Sequence, residues 1–418
     1  MMSWTALFVT IAYVVVGRWL TGLKARRREA IFALWNLAAV YYFFFFSPDP
    51  DLTLRYNLVF AAYLTVVSAQ YVALRWWGER PGWLPWLAFL VPIAVLAAIR
   101  YAPSGQLAGL FGSSDQGILQ RIRIAQSQDF VGLSYLAFRT SYLVLEVRNR
   151  VVPRPGLWEY LGFAFFAPTL SVGPISPYVQ YRRAFAETDR PQIPISRALL
   201  RVLVGAVKFR FFAPLLNQIT YSGLLLDGHP HLWVDLLVAA VAYYVYLYCN
   251  FSGFCDIAIG GAGLMGISVA ENFNNPFAAR NVKDFWNRWH ITLSHYMRDV
   301  VFAPLSKTLV RVFGAAQANQ AIALTIFVVF LLVGAWHGPS LRFVAFGAFH
   351  GIGVAANHYY TIALKKRLGR ESFAAYNQNR VIQAIAVALT FAYVAASLFL
   401  FANDSKSMKT IFSWLQLY

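Results

Sequence analysis

The sequence predicts an all-α polytopic membrane protein of about eleven transmembrane helices, and three observations predict it. Of 418 residues, 59% are hydrophobic and 13% are charged, about half the ~25% charged share of a soluble domain. Apolar runs near the roughly 20 residues that a span requires recur along the whole chain. The basic excess, 36 Lys+Arg against 18 Asp+Glu for a net charge of +18, falls largely between those runs. With a mean hydropathy of +0.51, too little polar surface remains for a soluble enzyme, and the chain is too apolar to be disordered or fibrous. In a soluble protein such positive charge would point to nucleic acid. Beside so many apolar runs it points to loops facing anionic lipid headgroups, so membrane lipids are expected partners and nucleic acid is not.

The runs, taken in order, are 4–20, 30–46, 56–74, 83–99, 130–147, 157–172, 199–219, 232–251, 321–336, 341–362 and 381–401. The first lacks a basic leader and is followed by Lys24, Arg26, Arg27 and Arg28, the reverse of a secretory signal. It therefore reads as a retained span of a multi-pass protein of the cell membrane, with the N-terminus outside. Asp49 and Asp51 mark the next, outer loop. Arg75 and Arg80 mark a cytoplasmic one, and Arg148, Arg150 and Arg154 another two spans later. Residues 1–150 thus read as peripheral spans of one membrane domain, 1–418.

The middle is different. Residues 171–210 contain Pro174, Pro177, Pro191 and Pro194 beside Arg182, Arg183, Arg190, Arg197, Arg201, Lys208 and Arg210. Residues 271–311 form a second polar stretch. Irregular or charged backbone at membrane depth persists only when buried in protein or lining a wet cavity. Both segments read as re-entrant or surface-lying pieces around a cavity, with long cytoplasmic loops as the alternative.

The candidate chemistry is histidine. His229 and His231 flank Pro230 in a polar turn, and His358 lies near a span end; these read as exposed or interfacial. His337 closes the apolar run from Phe327 to Trp336 between Gly334 and Gly338. An ionisable side chain there marks a functional site by default, and a neutral imidazole suits a general base. The alternative is a histidine merely hydrogen-bonded at the interface. His350, between Gly347 and Gly351, echoes the pattern. Residues 285–299, read as one helix, place His290, Ser294 and Arg298 on one polar stripe at i, i+4 and i+8, with Trp286, Trp289, Leu293 and Tyr296 on another side. Such a helix would line a wet tunnel, or lie as an ordinary amphipathic surface helix. No metal is expected, because the segment lacks an HExxH spacing or other completing ligands. Cys249 and Cys255, six apart, point about 240° away from each other on a helix and suit no local disulfide.

Four segments occur in order: Phe251-Ser-Gly-Phe-Cys-Asp-Ile-Ala-Ile-Gly260, Glu271-Asn-Phe-Asn-Asn-Pro-Phe277, Asn281-Val-Lys-Asp-Phe-Trp-Asn-Arg-Trp-His290 and Gly334-Ala-Trp-His-Gly338. They resemble the membrane-bound O-acyltransferase (MBOAT) family, in its bacterial branch of DltB-like D-alanyl transfer proteins and alginate O-acetylation proteins. The stretch from Asn281 to His290 and the chain length are similar to the DltB form. Two departures stand out. Phe254-Cys255 replaces a common Tyr-Ser, and Ala303-Pro-Leu-Ser-Lys307 lacks the glycine pair of the alginate members.

The resemblance implies helices ringed around a central extracellular funnel and thin cytoplasmic tunnel, with residues 243–351 as the catalytic core. It implies His337 as the catalytic histidine and His290 as the second, tunnel-side one. Trp286, Asn287, Arg288, Ser294, Arg298 and Trp336 are the expected substrate or tunnel lining. The implied reaction is O-acyl transfer, with no bound cofactor, from a cytoplasmic thioester to a hydroxyl of an extracytoplasmic glycan or lipid-linked polymer. The donor is a D-alanyl 4′-phosphopantetheine thioester on an acidic acyl carrier protein, or acetyl-CoA. A transporter or flippase remains the competing class, since broken helices and intramembrane histidines occur there too.

Overall fold

A computed structural model describes residues 4–24, 27–101, 132–186 and 192–416. Arg26, Arg190, Pro191 and the start of the 130–147 run lie outside the described residues. The helices are α1 Trp4–Gly22, α2 Arg28–Val40, α3 Pro50–Trp77, α4 Leu84–Tyr101, α5 Leu133–Arg148, α6 Leu157–Ala164, α7 Tyr178–Arg183, α8 Ile195–Val207 and α9 Ala213–Asn217. Then follow α10 Tyr221–Leu224, α11 Trp233–Leu264, α12 Val282–Trp286, α13 Ile291–Met297, α14 Ala303–Phe313, α15 Ala318–His337, α16 Leu341–Gln378, α17 Arg380–Ala402 and α18 Ser405–Trp414. The one sheet among the described residues is a two-residue parallel pairing of β1 His231–Leu232 with β2 Leu415–Gln416.

The protein is an all-α, multi-pass membrane protein. Five segments among the described residues are long and apolar enough to cross a bilayer: Leu52–Trp77, Leu84–Tyr101, Trp233–Leu264, Ala315–His337 and Arg380–Ala402. Their exposed faces carry large apolar side chains, such as Ile385 and Leu389 on α17, which suit lipid rather than water. Of the other expected runs, 157–172 and 199–219 form shorter or interrupted helices, whereas 4–20 and 341–362 lie within α1 and α16. In the 199–219 run, α8 and α9 are separated by a wider helical turn, Lys208–Phe212. Conversely, α11 continues well beyond the expected end at Phe251, through its glycines to Leu264. A helix in lipid loses more by opening its backbone hydrogen bonds than by tolerating glycine.

The chain forms two compact units, Met1–Gly205 with Phe254–Ala270, and Ala206–Gly253 with Glu271–Tyr418. In the first, the expected span at 157–172 is an eight-residue helix, α6, followed by a tight turn at Ala167–Thr169. Pro168 lacks the N–H that would continue the helix. Arg139, 2% exposed, takes up the resulting loose carbonyls. It donates to Phe163 O at 2.9 Å, Thr169 Oγ1 at 2.7 Å and Thr169 O. Irregular backbone is thereby satisfied inside protein, as membrane depth demands. Nearby, the Glu146 carboxylate accepts from Tyr178 N at 2.9 Å and Val179 N at 3.4 Å and holds the start of α7.

In the second unit α15 and α16 pack as an antiparallel pair. A Cβ on Gly334 would lie 2.2 Å from Phe343 O, and one on Gly347 would lie 2.3 Å from Phe330 O. Only glycine permits that approach, the small-residue packing common between helices in lipid. Beyond the pair, α16 breaks at Gly369, whose φ of 73° is left-handed.

Candidate active site

The expected helix over 285–299 is not one helix, which corrects the polar-stripe reading. Helix α12 starts on Asn281, whose side chain accepts from Asp284 N at 2.9 Å, and it ends at Trp286. Helix α13 starts only at Ile291. Between them the backbone bonds sideways to residues 272–274. Asn274 N donates to Arg288 O at 2.9 Å, Ile291 N donates to Asn272 O at 3.0 Å, and Phe273 bridges Trp289 antiparallel. These bonds outcompete helix continuation, and His290 is left at φ 45°. His290 therefore departs from the line of Ser294 and Arg298 and points into the protein, 3% exposed.

Its surroundings assign its tautomer. Asn272, 1% exposed, accepts through Oδ1 from Thr292 N at 3.2 Å and Thr292 Oγ1 at 2.9 Å. The Thr292 N–H can only donate, so this atom of Asn272 is its oxygen. His290 Nδ1 lies 3.2 Å from the same oxygen and must carry the proton. Nε2 of the neutral ring is then a bare lone pair. It is buried and lacks a hydrogen-bond partner among the described residues.

His337 is the last residue of α15, with Gly338 N closing the helix on Ala335 O at 3.1 Å. Its ring centroid lies 4.8 Å from Phe401, 6.1 Å from Phe343 and 6.2 Å from Phe346. The Trp336 indole joins the two histidines, 4.5 Å from His337 and 6.0 Å from His290. Phe251 closes over His290 at 4.8 Å. The geometry thus brings His290, Trp336 and His337 together in one aromatic cluster.

A cavity of about 640 Å³ lies between α12, α13, α15 and α16, about one helical turn from that cluster; His290, Trp336 and His337 are not among its lining residues. Val333, one turn before His337 on the same face of α15, lines it together with Ile326, Val329 and Phe330. Lys283, Arg298, His358 and Lys365 also line it, so the lining combines apolar wall with several basic side chains. Of the expected lining residues, Trp286, Asn287, Ser294 and Arg298 border this cavity. Ser294 Oγ donates to Trp286 O at 2.9 Å, so its hydroxyl supports the turn. Arg288 is outside the lining. It is held by Asp284 Oδ1 at 2.8 Å and reaches Asn274 O at 3.4 Å.

Three residues contribute in ways that the sequence does not announce. Asn272 lies inside a quoted motif, yet nothing local to it says that it holds a histidine 18 residues later. His350 is fully buried; its Nδ1 accepts from Trp286 Nε1 at 3.2 Å and its Nε2 meets Ser397 Oγ at 2.9 Å. Ser397 donates its own proton to Val394 O at 2.7 Å, so His350 Nε2 is the donor there. Its work is to fix the cavity wall at Trp286. His358, read as interfacial, lines the cavity and contacts Asn319 Oδ1 at 3.2 Å.

Residues 86–402 match the family model of the membrane-bound O-acyltransferase family. The chain belongs to that family. It is accordingly an acyltransferase, and the transporter reading falls. The two histidines, the Asn272 hairpin and the cavity all lie within the matched residues. Among curated relatives, the chain is 32% identical over 294 residues to the teichoic acid D-alanyltransferase of Streptococcus thermophilus, which covers 66% of this chain and 68% of that one. It is 28% identical over 279 residues to the teichoic acid D-alanyltransferase of Bacillus subtilis, 66% of this chain and 69% of that one. It is 26% identical over 309 residues to a probable alginate O-acetylase of Pseudomonas fluorescens, 70% of this chain and 60% of that one.

Proposed function

We propose that this MBOAT protein transfers a D-alanyl group from a carrier-protein thioester on the cytoplasmic side of a bacterial cell membrane to a hydroxyl of a cell-surface polymer. The observation that carries the proposal is the placement of His290 and His337 about Trp336, one helical turn from a cavity with apolar walls and basic lining residues. The D-alanyl donor is favoured over acetyl because the two teichoic acid D-alanyltransferases align over about two thirds of both chains. The catalytic segment is 243–351, and the N-terminus lies outside.

A thioester is already activated, so the chemistry needs a base for the hydroxyl and control of the oxyanion. In this reading His337 takes the acceptor hydroxyl proton as the oxygen bonds to the thioester carbonyl carbon. The tetrahedral oxyanion collapses, the C–S bond breaks, and the thiolate leaves with the proton carried by the His337 imidazolium. His290 presents a lone pair at Nε2 rather than an N–H. Its role is therefore to accept a hydrogen bond from another donor group of the acceptor and so align the reacting hydroxyl with His337, not to donate to the oxyanion. The cavity takes the extended pantetheine arm, with the phosphate near Lys283, Arg298 and Lys365. An acidic carrier protein meeting these cations would bind in a salt-dependent way.

The test is acyl transfer in proteoliposomes, with labelled D-alanyl carrier thioester compared with labelled acetyl-CoA. His337→Ala is expected to abolish ester formation at normal expression. Undiminished transfer by that variant would sink the assignment, and label passing only from acetyl-CoA would replace the D-alanyl donor with acetyl.

A further inference from the structure

A second polar site lies far from the histidines in sequence, where α3 ends, α4 begins and the loop after α5 returns. Arg75, Trp76, Trp77, Glu79, Arg80, Leu84 and Arg154 line a pocket of about 710 Å³. Three guanidinium groups face one carboxylate, Glu79, which lies 3.8 Å from Arg154. Arg154 Nη1 also donates to Arg75 O at 2.7 Å, closing the end of α3 and fixing the pocket floor. Arg75 and Arg80 are exposed. The pocket therefore holds two more positive charges than negative, without counting Arg148, whose guanidinium stacks 5.1 Å from the nearby Trp86 ring.

The depth of this pocket is set by its helices. Both α3 and α4 carry membrane-length apolar segments, and the pocket occupies their shared end. Trp76 and Trp83 are 68% and 67% exposed there. Exposed indoles at the end of a span belong at the level of lipid headgroups, and basic pockets between spans at that level suit anionic headgroups. Arginine forks match phosphate oxygens in pairs, which a single ammonium does not. The volume is large enough for a glycerophosphate headgroup.

We propose that the Arg75, Arg80 and Arg154 pocket binds the headgroup of an anionic phospholipid in the leaflet that faces the α3–α4 turn. The bound lipid would neutralise a turn that otherwise concentrates like charge, and its chains would lie along the exposed apolar faces of α3 and α4. This inference is independent of the acyl donor and acceptor.

The experiment is native mass spectrometry of the intact protein released from nanodiscs of phosphatidylcholine containing phosphatidylglycerol or cardiolipin. A parallel arm adds inorganic phosphate to the protein in neutral detergent. The test variant is Arg75→Gln/Arg80→Gln, which keeps the Arg75 carbonyl and the Arg154 side chain. Wild type is expected to retain anionic lipid selectively. The double variant should lose about twenty-fivefold in retention, roughly fivefold for each arginine removed, while acyl transfer in detergent stays unchanged. Arg75→Lys/Arg80→Lys should retain lipid at an intermediate level, separating charge from folding. Equal lipid retention by the Gln variant would overturn the proposal. Stabilisation by inorganic phosphate equal to that by lipid would assign the site to free phosphate and overturn its lipid source.

Discussion

Asn272→Ala tests the link between the folded hairpin and the proposed chemistry. The substitution removes one oxygen that accepts three hydrogen bonds, from Thr292 N, Thr292 Oγ1 and His290 Nδ1. The Thr292 hydroxyl can rotate to another acceptor, but its backbone N–H cannot. An orphaned buried N–H costs about 1–3 kcal/mol, so the variant should lose that much stability, read as a lowered unfolding temperature. His290 then loses its tautomer lock, so the proton can move to Nε2 and the acceptor lone pair is lost. A hydrogen bond of about 1–2 kcal/mol withdrawn from the transition state corresponds to roughly a fivefold to thirtyfold slower transfer. The assay is the initial rate of ester formation in proteoliposomes, with thermal unfolding measured on the same preparation. Thr292→Val is the control, because it removes only the hydroxyl and leaves His290 bonded; it should keep the rate. A double-mutant cycle decides the matter: in a His290→Ala background, Asn272→Ala should cost no further rate. Equal rate losses in both backgrounds would refute the reasoning, since Asn272 would then be acting through something other than His290.

Three further expectations follow from the packing. Gly347→Ala drives a methyl group into Phe330 O and should destabilise the α15–α16 pair by about 1–3 kcal/mol, read as a lowered unfolding temperature; an unchanged one would mean that the pair has room. Arg139→Gln leaves buried carbonyls at Phe163 and Thr169 without full partners and should cost roughly 3 kcal/mol or more, with protease sensitivity appearing near residues 163–170. Ile326→Trp fills the cavity without touching either histidine, so the KM for the thioester donor should rise about tenfold, equivalent to roughly 1.4 kcal/mol of lost binding, at unchanged thermal stability. An unaltered KM would place the donor elsewhere.

Much of this protein is written locally. Low charge and recurring apolar runs decide a helical membrane protein, because lipid offers no partners to backbone groups and only helices or closed barrels satisfy them internally. His337 stands out as a candidate in the sequence for a related reason: an ionisable ring at the end of an apolar run is costly. The quoted motifs were sufficient to place the chain in its family. That the 157–172 run forms a broken helix is not legible in it, because a window of apolar residues does not reveal that Arg139, 18 residues earlier, bonds the loose carbonyls.

The stripe on residues 285–299 failed for a related reason. Helical periodicity is a local average, and it was overridden by backbone bonds from residues 272–274 that no spacing announces. Tertiary structure alone decided which way His290 faces, which nitrogen carries its proton, and that His350 accepts from the Trp286 indole. Each of these depends on a hydrogen-bond partner 18 to 64 residues away. Composition determines the solvent in which a chain folds; a donor or acceptor distant in sequence determines the state of a titratable ring.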